Sequence, residues 1–149
     1  MKATMNRRNF LQHSALGSTA LAFSHPLLNW MAQDAYQMEM LRGNVGIFTE
    51  RGGTIAFYLS NQGMAVVDTQ FPEQAGHLID ELKKKSDRRL DLLVNTHHHG
   101  DHSAGNIAFK GYAKKVVAHE NSKLNQKRTA EARGGLDDQL LPDTTYSQG

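Results

Sequence analysis

The sequence Asn95-Thr96-His97-His98-His99-Gly100-Asp101-His102 holds four of the chain's eight histidines. It directly follows Leu90–Val94, a mostly apolar run of the kind that forms a buried strand. Small and polar residues come next, from Ser103 to Asn106, and they suit a loop that leads into a helix. Open α/β sheets usually place their chemistry at the carboxyl ends of their strands. The sequence therefore predicts a cluster of metal ligands at such an end.

The spacing of the histidines indicates which of them act together. Alternate side chains of an extended segment point to the same side, so His97 and His99 face one way. His98 faces the other way and is left out of the predicted ligand set. A single histidine is usually a packing or surface residue, and a run of three can be a fortuitous chelating tract. Ligand type, spacing and the preceding strand together favour a metal site.

The residues after the histidine run predict more ligands. Gly100 allows the sharp turn that an extended chain needs before it doubles back. Beyond this turn, Asp101 and His102 can serve the same ion from another side or a second ion nearby. The chain contains no cysteine, which excludes a thiolate zinc site and a disulfide scaffold. Imidazole and carboxylate ligands suit zinc, with iron and manganese as alternatives.

The region before the motif predicts a sheet followed by a helix. Branched and aromatic residues separated by turns with Gly and Asn are typical of an antiparallel meander. Pro72 suits a first helical turn, and apolar residues then recur with helical spacing from Ala75 to Leu82. With the strand Leu90–Asn95, this helix completes a β-α-β unit. The predicted meander strands are Met38–Arg42, Val45–Thr49, Ile55–Leu59 and Ala65–Asp68.

The region after the motif predicts fewer elements. A short helix includes Ile107 and Phe109, and a strand covers Lys115–Ala118. A polar helix follows over Asn121–Arg133 and is broken by a glycine pair. The remaining residues, Leu136–Gly149, are predicted to form a loop.

Several motifs together resemble the metallo-β-lactamase superfamily of metallohydrolases. The His/Asp stretch from Asn95 to His102 resembles its signature. The other landmarks agree in order and spacing: Gly52-Gly53-Thr54 before an early strand, Val66-Val67-Asp68-Thr69 with its aspartate after a strand, and Ser103-Ala104-Gly105-Asn106 after the ligands. The resemblance extends from about Met38 to the last residue. It implies an αββα sandwich, of the α/β (α+β) class, with one or two zinc ions between the sheets.

The resemblance also assigns roles to individual residues. It implies that Asp68 orients the ligand loop, which is residues 96–102. Asp101, placed beside the nucleophile, is expected to hold or accept a proton as well as bind metal. In the superfamily, further histidines and a bridging aspartate come from the second half of the domain, whereas nothing after His119 is a histidine here. We therefore expect residues 36–149 to form the first αβ half of a truncated domain. The implied metal ligands are His97, His99, Asp101 and His102.

The implied function is hydrolysis of a small-molecule substrate by an exported zinc enzyme. The metal would activate water to attack an ester, thioester, lactone or amide-type bond. One alternative is a β-lactamase proper, since the signature is shared by enzymes with many substrates. The other is a non-catalytic or inactive metal-binding fragment that lacks the ligands of the second half.

Residues 1–35 predict an export signal and a linker. An arginine pair lies within Asn6–Gln12, which resembles a twin-arginine signal, and no acidic residue occurs before Asp34. A mildly apolar stretch and the small-x-small sequence Ala20-Leu21-Ala22 follow. The expected destination is the periplasm or the cell exterior. The alternative is an ordinary basic amphipathic helix or a disordered arm.

Charge and hydropathy exclude two other classes of partner. The formal net charge of the chain is +2, which is too small to indicate nucleic acid binding. Residues 1–22 carry three of the 17 basic residues and none of the 15 acidic ones, so the remainder carries a net charge of −1. Polar residues interrupt the amino-terminal apolar stretch, and no membrane span is predicted there.

Overall fold

The computed structural model describes residues 36–148, and the predicted export signal and linker lie outside them. Seven strands form one sheet whose spatial order follows the chain. This order places β4 and β5 inside the sheet, with β1 to β3 on one side of them and β6 and β7 on the other. The strands are β1 (Gln37–Arg42), β2 (Val45–Glu50), β3 (Gly53–Leu59), β4 (Met64–Val67), β5 (Leu92–Asn95), β6 (Val116–His119) and β7 (Thr144–Tyr146).

Three α-helices and two 3₁₀ helices connect these strands. The longest, α1 (Pro72–Lys85), begins with a proline and Glu73 and ends with three lysines, an arrangement that favours both ends of the helix dipole. It joins β4 to β5 as predicted. The others are α2 (Gly100–Ser103), the first 3₁₀ helix (Ala104–Phe109), α3 (Glu120–Ala132) and the second 3₁₀ helix (Leu136–Asp138).

The sheet changes character at β4. Strands β1 to β4 pair antiparallel, which confirms the predicted meander. From β4 to β7 all pairs are parallel. Parallel strands end at the same edge of a sheet, so the residues after β4, β5 and β6 meet there. This edge receives Asp68, the ligand loop and His119.

One face of the sheet packs against helices and forms the apolar core. Side chains at alternate strand positions, such as Phe48, Ile55 and Leu93, are fully buried there. Helix α1 contributes its predicted apolar stripe. The buried members of the core are Phe48, Ile55, Phe57, Met64, Val66, Ala75, Leu78, Ile79, Leu82, Leu90, Leu93, Phe109 and Val116.

The opposite face of the sheet is also apolar but only partly buried. A row of directly paired residues crosses five strands, and all of them are intermediate in exposure. Directly paired residues share a face. The described part of the chain therefore consists of two layers, the sheet and the helices that cover one of its faces. The row consists of Ile47, Ala56, Val67, Val94 and Val117.

Three local predictions are wrong. The loop expected from Ser103 to Asn106 is helical, since α2 includes Ser103 and the first 3₁₀ helix begins at Ala104. The segment Leu136–Gly149 was expected to be a loop, but Thr144–Tyr146 forms β7 beside β6. All three β7 residues are exposed, so no apolar alternation marks the strand in the sequence. Gly100 was expected to make a sharp turn, but α2 begins there and turns the chain instead. Among the helices within residues 36–148, none is both long and apolar enough to cross a membrane.

Candidate metal centre

The ligand loop brings three histidine rings together at the carboxyl edge of the sheet. The ring centroids of His97 and His102 lie 4.0 Å apart, and those of His97 and His99 lie 4.7 Å apart. The ring of His98 lies farther from His97, at 6.4 Å. Helix α2 follows at once and returns His102 toward His97, although the two are five residues apart in the sequence.

The donor atoms of the predicted ligands fall into two pairs. His97 Nε2 and His99 Nδ1 are 3.2 Å apart. Two nitrogens bound to one tetrahedral zinc at 2.0–2.1 Å would be separated by roughly 3.3 Å. The second pair is Asp101 Oδ2 and His102 Nε2, which are 3.5 Å apart. The first pair thus has the spacing that zinc requires.

Asp68 lies behind the loop and is bonded to it at three points. Its carboxylate accepts hydrogen bonds from the Thr96 amide at 2.8 Å and the Thr96 hydroxyl at 2.7 Å. Nδ1 of His102 lies 2.8 Å from the same carboxylate. Asp68 is buried, and its φ of 67° is in the left-handed region, which costs a non-glycine residue free energy. The three hydrogen bonds hold it in that conformation.

The bonds around Asp68 indicate which nitrogen of each neutral ring is free. A carboxylate only accepts hydrogen bonds, so Thr96 donates its one hydroxyl proton to Asp68, and His102 donates from Nδ1. The Thr96 oxygen then accepts from Nδ1 of His97, 3.0 Å away. Both rings are left with an unprotonated Nε2. That nitrogen carries the lone pair with which a neutral imidazole binds metal.

The electrostatic environment also favours a neutral His97. Burial lowers the pKa of His97, and repulsion from His102 and His99 lowers it further, against the opposing effect of Asp68 and Asp101. Metal binding requires an unprotonated imidazole. The lowered pKa therefore keeps this ring ready to bind metal at a lower pH than an isolated histidine.

Residues 49–145 match the sequence profile of the metallo-beta-lactamase superfamily, including the whole ligand loop. The chain belongs to the metallo-beta-lactamase superfamily. The match covers well over half of the chain and starts within β2. It confirms the family that the His/Asp motif and its neighbours indicated.

Solved structures agree with this assignment at the level of the fold. A metallo-beta-lactamase from Hirschia baltica has a TM-score of 0.57 and 16% identity, with 76% of this chain and 53% of that chain covered. MEM-A1, a subclass B3 metallo-beta-lactamase from a soil metagenome library, has a TM-score of 0.53 and 21% identity, with 59% and 34% covered. The Rm3 metallo-beta-lactamase has a TM-score of 0.54 and 25% identity, with 64% and 36% covered. This superfamily member thus spans about a third to a half of the length of these structures.

The donor chemistry of the site suits zinc, and members of the superfamily usually bind metal ions. Zinc takes four ligands, however, and no group of three or more His, Cys, Asp or Glu side chains in residues 36–148 is arranged to hold an ion. The described residues therefore fit part of a zinc site. The converging pair is His97 and His99, with Asp101 and His102 beside it.

Sequence reasoning gave no role to Thr96, which links Asp68 to His97. It also gave none to the buried polar residues Asn95 and Asn106. A signal for Asn95 exists: it lies two residues after Leu93, on the buried side of a strand, where polar side chains are nearly always hydrogen-bonded. The identity of its partners is not encoded locally.

Two further histidines have structural partners. Nδ1 of His77 lies 3.0 Å from the carboxylate of Glu50, which ties α1 to β2. His119 precedes α3, and its Nδ1 accepts the amide proton of Asn121 as a helix cap. These contacts give both histidines structural partners outside the proposed ligand set.

Proposed function

We propose that this superfamily member acts as a zinc-dependent hydrolase. The observation that carries the proposal is the 3.2 Å separation of His97 Nε2 and His99 Nδ1. When bound, zinc lowers the pKa of a water molecule and polarises the substrate oxygen. The proposed substrate is a small molecule with an ester, thioester, lactone or amide-type bond. The proposed ligands within this chain are His97, His99, Asp101 and His102.

The remaining roles follow from position and exposure. The Asp101 side chain is 47% exposed beside His102, so water and substrate can reach it. We propose that Asp101 accepts the proton of the attacking water. Asp68 is proposed to orient the ring of His102 through the 2.8 Å contact with Nδ1. Removing such an outer partner typically weakens metal binding by roughly 10- to 100-fold.

A non-catalytic metal-binding role is the second candidate. It is favoured by the incomplete ligand set within residues 36–148. The two candidates differ in zinc stoichiometry and affinity. One or two tightly bound ions together with turnover support the hydrolase, whereas weak binding without turnover supports the second candidate.

The decisive comparison is between adjacent histidines. We expect His99→Ala to lower zinc affinity by more than about tenfold, because it removes one of two converging nitrogens. His98→Ala is the matched control, since the ring of His98 lies outside the proposed ligand set. Zinc affinity is measured by competition with a chelator, and hydrolysis is measured on a panel of ester, thioester and lactone substrates. Equal affinities for the two variants would remove His99 from the site.

The panel also separates the proposed hydrolase from a β-lactamase. A chromogenic cephalosporin tests the β-lactam amide directly. If the chain hydrolyses this substrate faster than the esters, the proposed function becomes that of a β-lactamase. Turnover that survives exhaustive zinc removal would contradict the metal-dependent proposal altogether.

Export is a separate proposal that rests on the sequence of residues 1–35. A reporter fused after these residues should reach the periplasm or the medium through the twin-arginine pathway. Conversion of Arg7 and Arg8 to lysine is expected to retain the reporter in the cytoplasm, as cell fractionation would reveal. Unchanged export of the lysine variant would rule out a twin-arginine signal.

A further inference from the structure

A cluster of buried polar side chains lies directly beneath the ligand loop. None of its members exposes more than 3% of its surface. Amides that are buried without hydrogen bonds destabilise a fold, and among the polar side-chain atoms of this group only Gln126 Oε1 lacks a partner. We call it the amide cluster, and it consists of Thr69, Asn95, Asn106 and Gln126.

Asn95 and Asn106 form the centre of the amide cluster as a closed pair. Asn106 Nδ2 donates to Asn95 Oδ1 at 2.7 Å, and Asn95 Nδ2 donates to Asn106 Oδ1 at 2.9 Å. Asn106 Nδ2 also donates to the Leu140 carbonyl at 3.2 Å. A flipped Asn95 amide would set its oxygen against the oxygen of Asn106. The pairing with Asn106, together with the 3.2 Å hydrogen bond that Gln126 Nε2 donates to Asn95 Oδ1, therefore fixes the orientation of the Asn95 amide.

The fixed amide of Asn95 reaches the ligand loop through the carbonyl of His102. This oxygen accepts the Thr69 amide proton at 3.0 Å and lies 3.2 Å from the Thr69 hydroxyl. Asn95 Nδ2 donates to the same oxygen at 3.3 Å. The single hydroxyl proton of Thr69 is shared with Asn106 Oδ1, which lies 3.1 Å away. The two N–H donors alone restrain this carbonyl more than the single partner of an ordinary helical carbonyl. The main chain of His102 is thereby anchored from below.

His102 is thus held at two ends. Asp68 contacts its ring through Nδ1 at 2.8 Å, and the amide cluster holds its carbonyl. Helix α2 has only four residues, which is too short to be stable by its own hydrogen bonds. The tertiary anchors therefore set where α2 presents its side chains.

We propose that Asn106 is a positioning residue for the ligand loop. By fixing the amide of Asn95, and through it the carbonyl of His102, it holds the loop in its metal-binding shape before an ion arrives. The inference rests on the proposed metal site, and it deepens that proposal by naming a residue that touches neither metal nor substrate. Preorganised ligands bind more tightly because less ordering is needed on binding.

The test compares two substitutions at Asn106 in the full chain. Asn106→Asp has the same shape but places an oxygen where Nδ2 meets Asn95 Oδ1 and the Leu140 carbonyl, so the pair is broken. Asn106→Ala removes the amide and leaves room for water, which keeps the test available if the aspartate variant does not fold. Leu82→Ala is the control, because it destabilises the apolar core without touching the amide cluster.

Two readouts are needed. In metal-free protein, amide hydrogen exchange is followed at His102 and Ser103, whose N–H groups both donate to the carbonyl of His99. We expect exchange there to quicken by about tenfold relative to the β2–β3 amides in both Asn106 variants, and not in Leu82→Ala. Zinc or cobalt affinity, measured by chelator competition, should fall roughly 10- to 100-fold in the same variants.

The outcomes separate this inference from the proposed function. Loop exchange that matches the Leu82→Ala control would overturn the positioning role, whether or not metal binds. Quickened loop exchange with unchanged metal affinity would overturn the claim that the restraint serves the metal. A parent chain that binds no metal would refute the proposed metal site, while the exchange readout would still decide whether Asn106 holds the loop.

Discussion

The apolar core beneath α1 and the amide cluster beneath the ligand loop are equally buried but built on different principles. Leu82 and Asn106 both have 0% exposure. The core is stabilised by burial of apolar area, which has no preferred direction. The cluster is stabilised by specific donor and acceptor pairs, each of which fails if one partner changes. The core can therefore hold the sheet together, whereas only the cluster can fix the position of a single carbonyl.

The two regions also serve different parts of the molecule. The apolar core joins α1 to the middle of the sheet, from Phe48 on β2 to Val116 on β6. The amide cluster lies at the carboxyl edge, where β4 and β5 end and the ligand loop begins. Directional bonding is thus used next to the candidate metal centre, and non-directional packing elsewhere. This division leads to four predictions.

The largest loss of stability is expected in the apolar core. Leu82→Ala should lower the free energy of unfolding by about 2–5 kcal/mol, because it removes buried methyl groups and leaves a cavity. Leu82→Met, which nearly conserves volume, should cost less than about 1.5 kcal/mol. Urea denaturation measures both. A methionine variant as unstable as the alanine variant would show that this core depends on shape as strictly as the amide cluster does.

Gly105 lies at the boundary between the two regions and should come next. An added Cβ would overlap the Thr69 carbonyl and lie 2.9 Å from both the Ala75 methyl group and the Phe71 carbonyl. We expect Gly105→Ala to destabilise the fold by about 1–3 kcal/mol, since backbone atoms cannot move aside cheaply.

Gly76→Ala is the matched control for Gly105. Gly76 lies within α1 and has open space around an added Cβ. Alanine there should raise the free energy of unfolding by about 0.4–1 kcal/mol. The same chemical change thus has opposite expected signs at the two sites, and thermal unfolding would distinguish them. A neutral result at Gly105 would mean that the first 3₁₀ helix can shift away from β4.

A smaller effect is expected for Thr69→Val, which removes only a hydroxyl group. That hydroxyl lies 3.1 Å from Asn106 Oδ1 and 3.2 Å from the His102 carbonyl, and both acceptors keep other donors. The expected cost is about 1 kcal/mol. Thr145→Val, at an exposed position of β7, is the control and should change stability little. Equal costs at the two positions would show that the hydroxyl contributes nothing to the amide cluster.

The smallest effect concerns pH. Because the pKa of His97 is lowered in the folded chain, the unfolded chain binds a proton first as the pH falls below about 6.5. The free energy of unfolding of the metal-free protein should therefore decrease as the pH falls from about 6.5 to the lowered pKa. The decrease should be smaller in His97→Gln over the same pH range. Urea midpoints at a series of pH values measure this. Identical slopes for parent and variant would contradict the lowered pKa.

Local sequence patterns were sufficient for elements that depend on neighbouring residues. The meander, helix α1 and the parallel unit after β4 were predicted because their apolar residues repeat with the periods of strand and helix. The start of α2 at Gly100 was not predicted, because the residue types in this stretch are compatible with both an extended segment and a short helix. Strand β7 was missed because it has no apolar face and pairs with β6 across more than twenty residues.

The sequence by itself determined the superfamily, the αβ architecture and the loop that carries the candidate ligands. These properties depend on residue types and on their spacing along the chain. Only the tertiary structure decided that Asp68 reaches His102, 34 residues away, and that Asn95 pairs with Asn106. Hydrogen bonds select partners by position in space, and no local pattern encodes which distant polar group will be the partner.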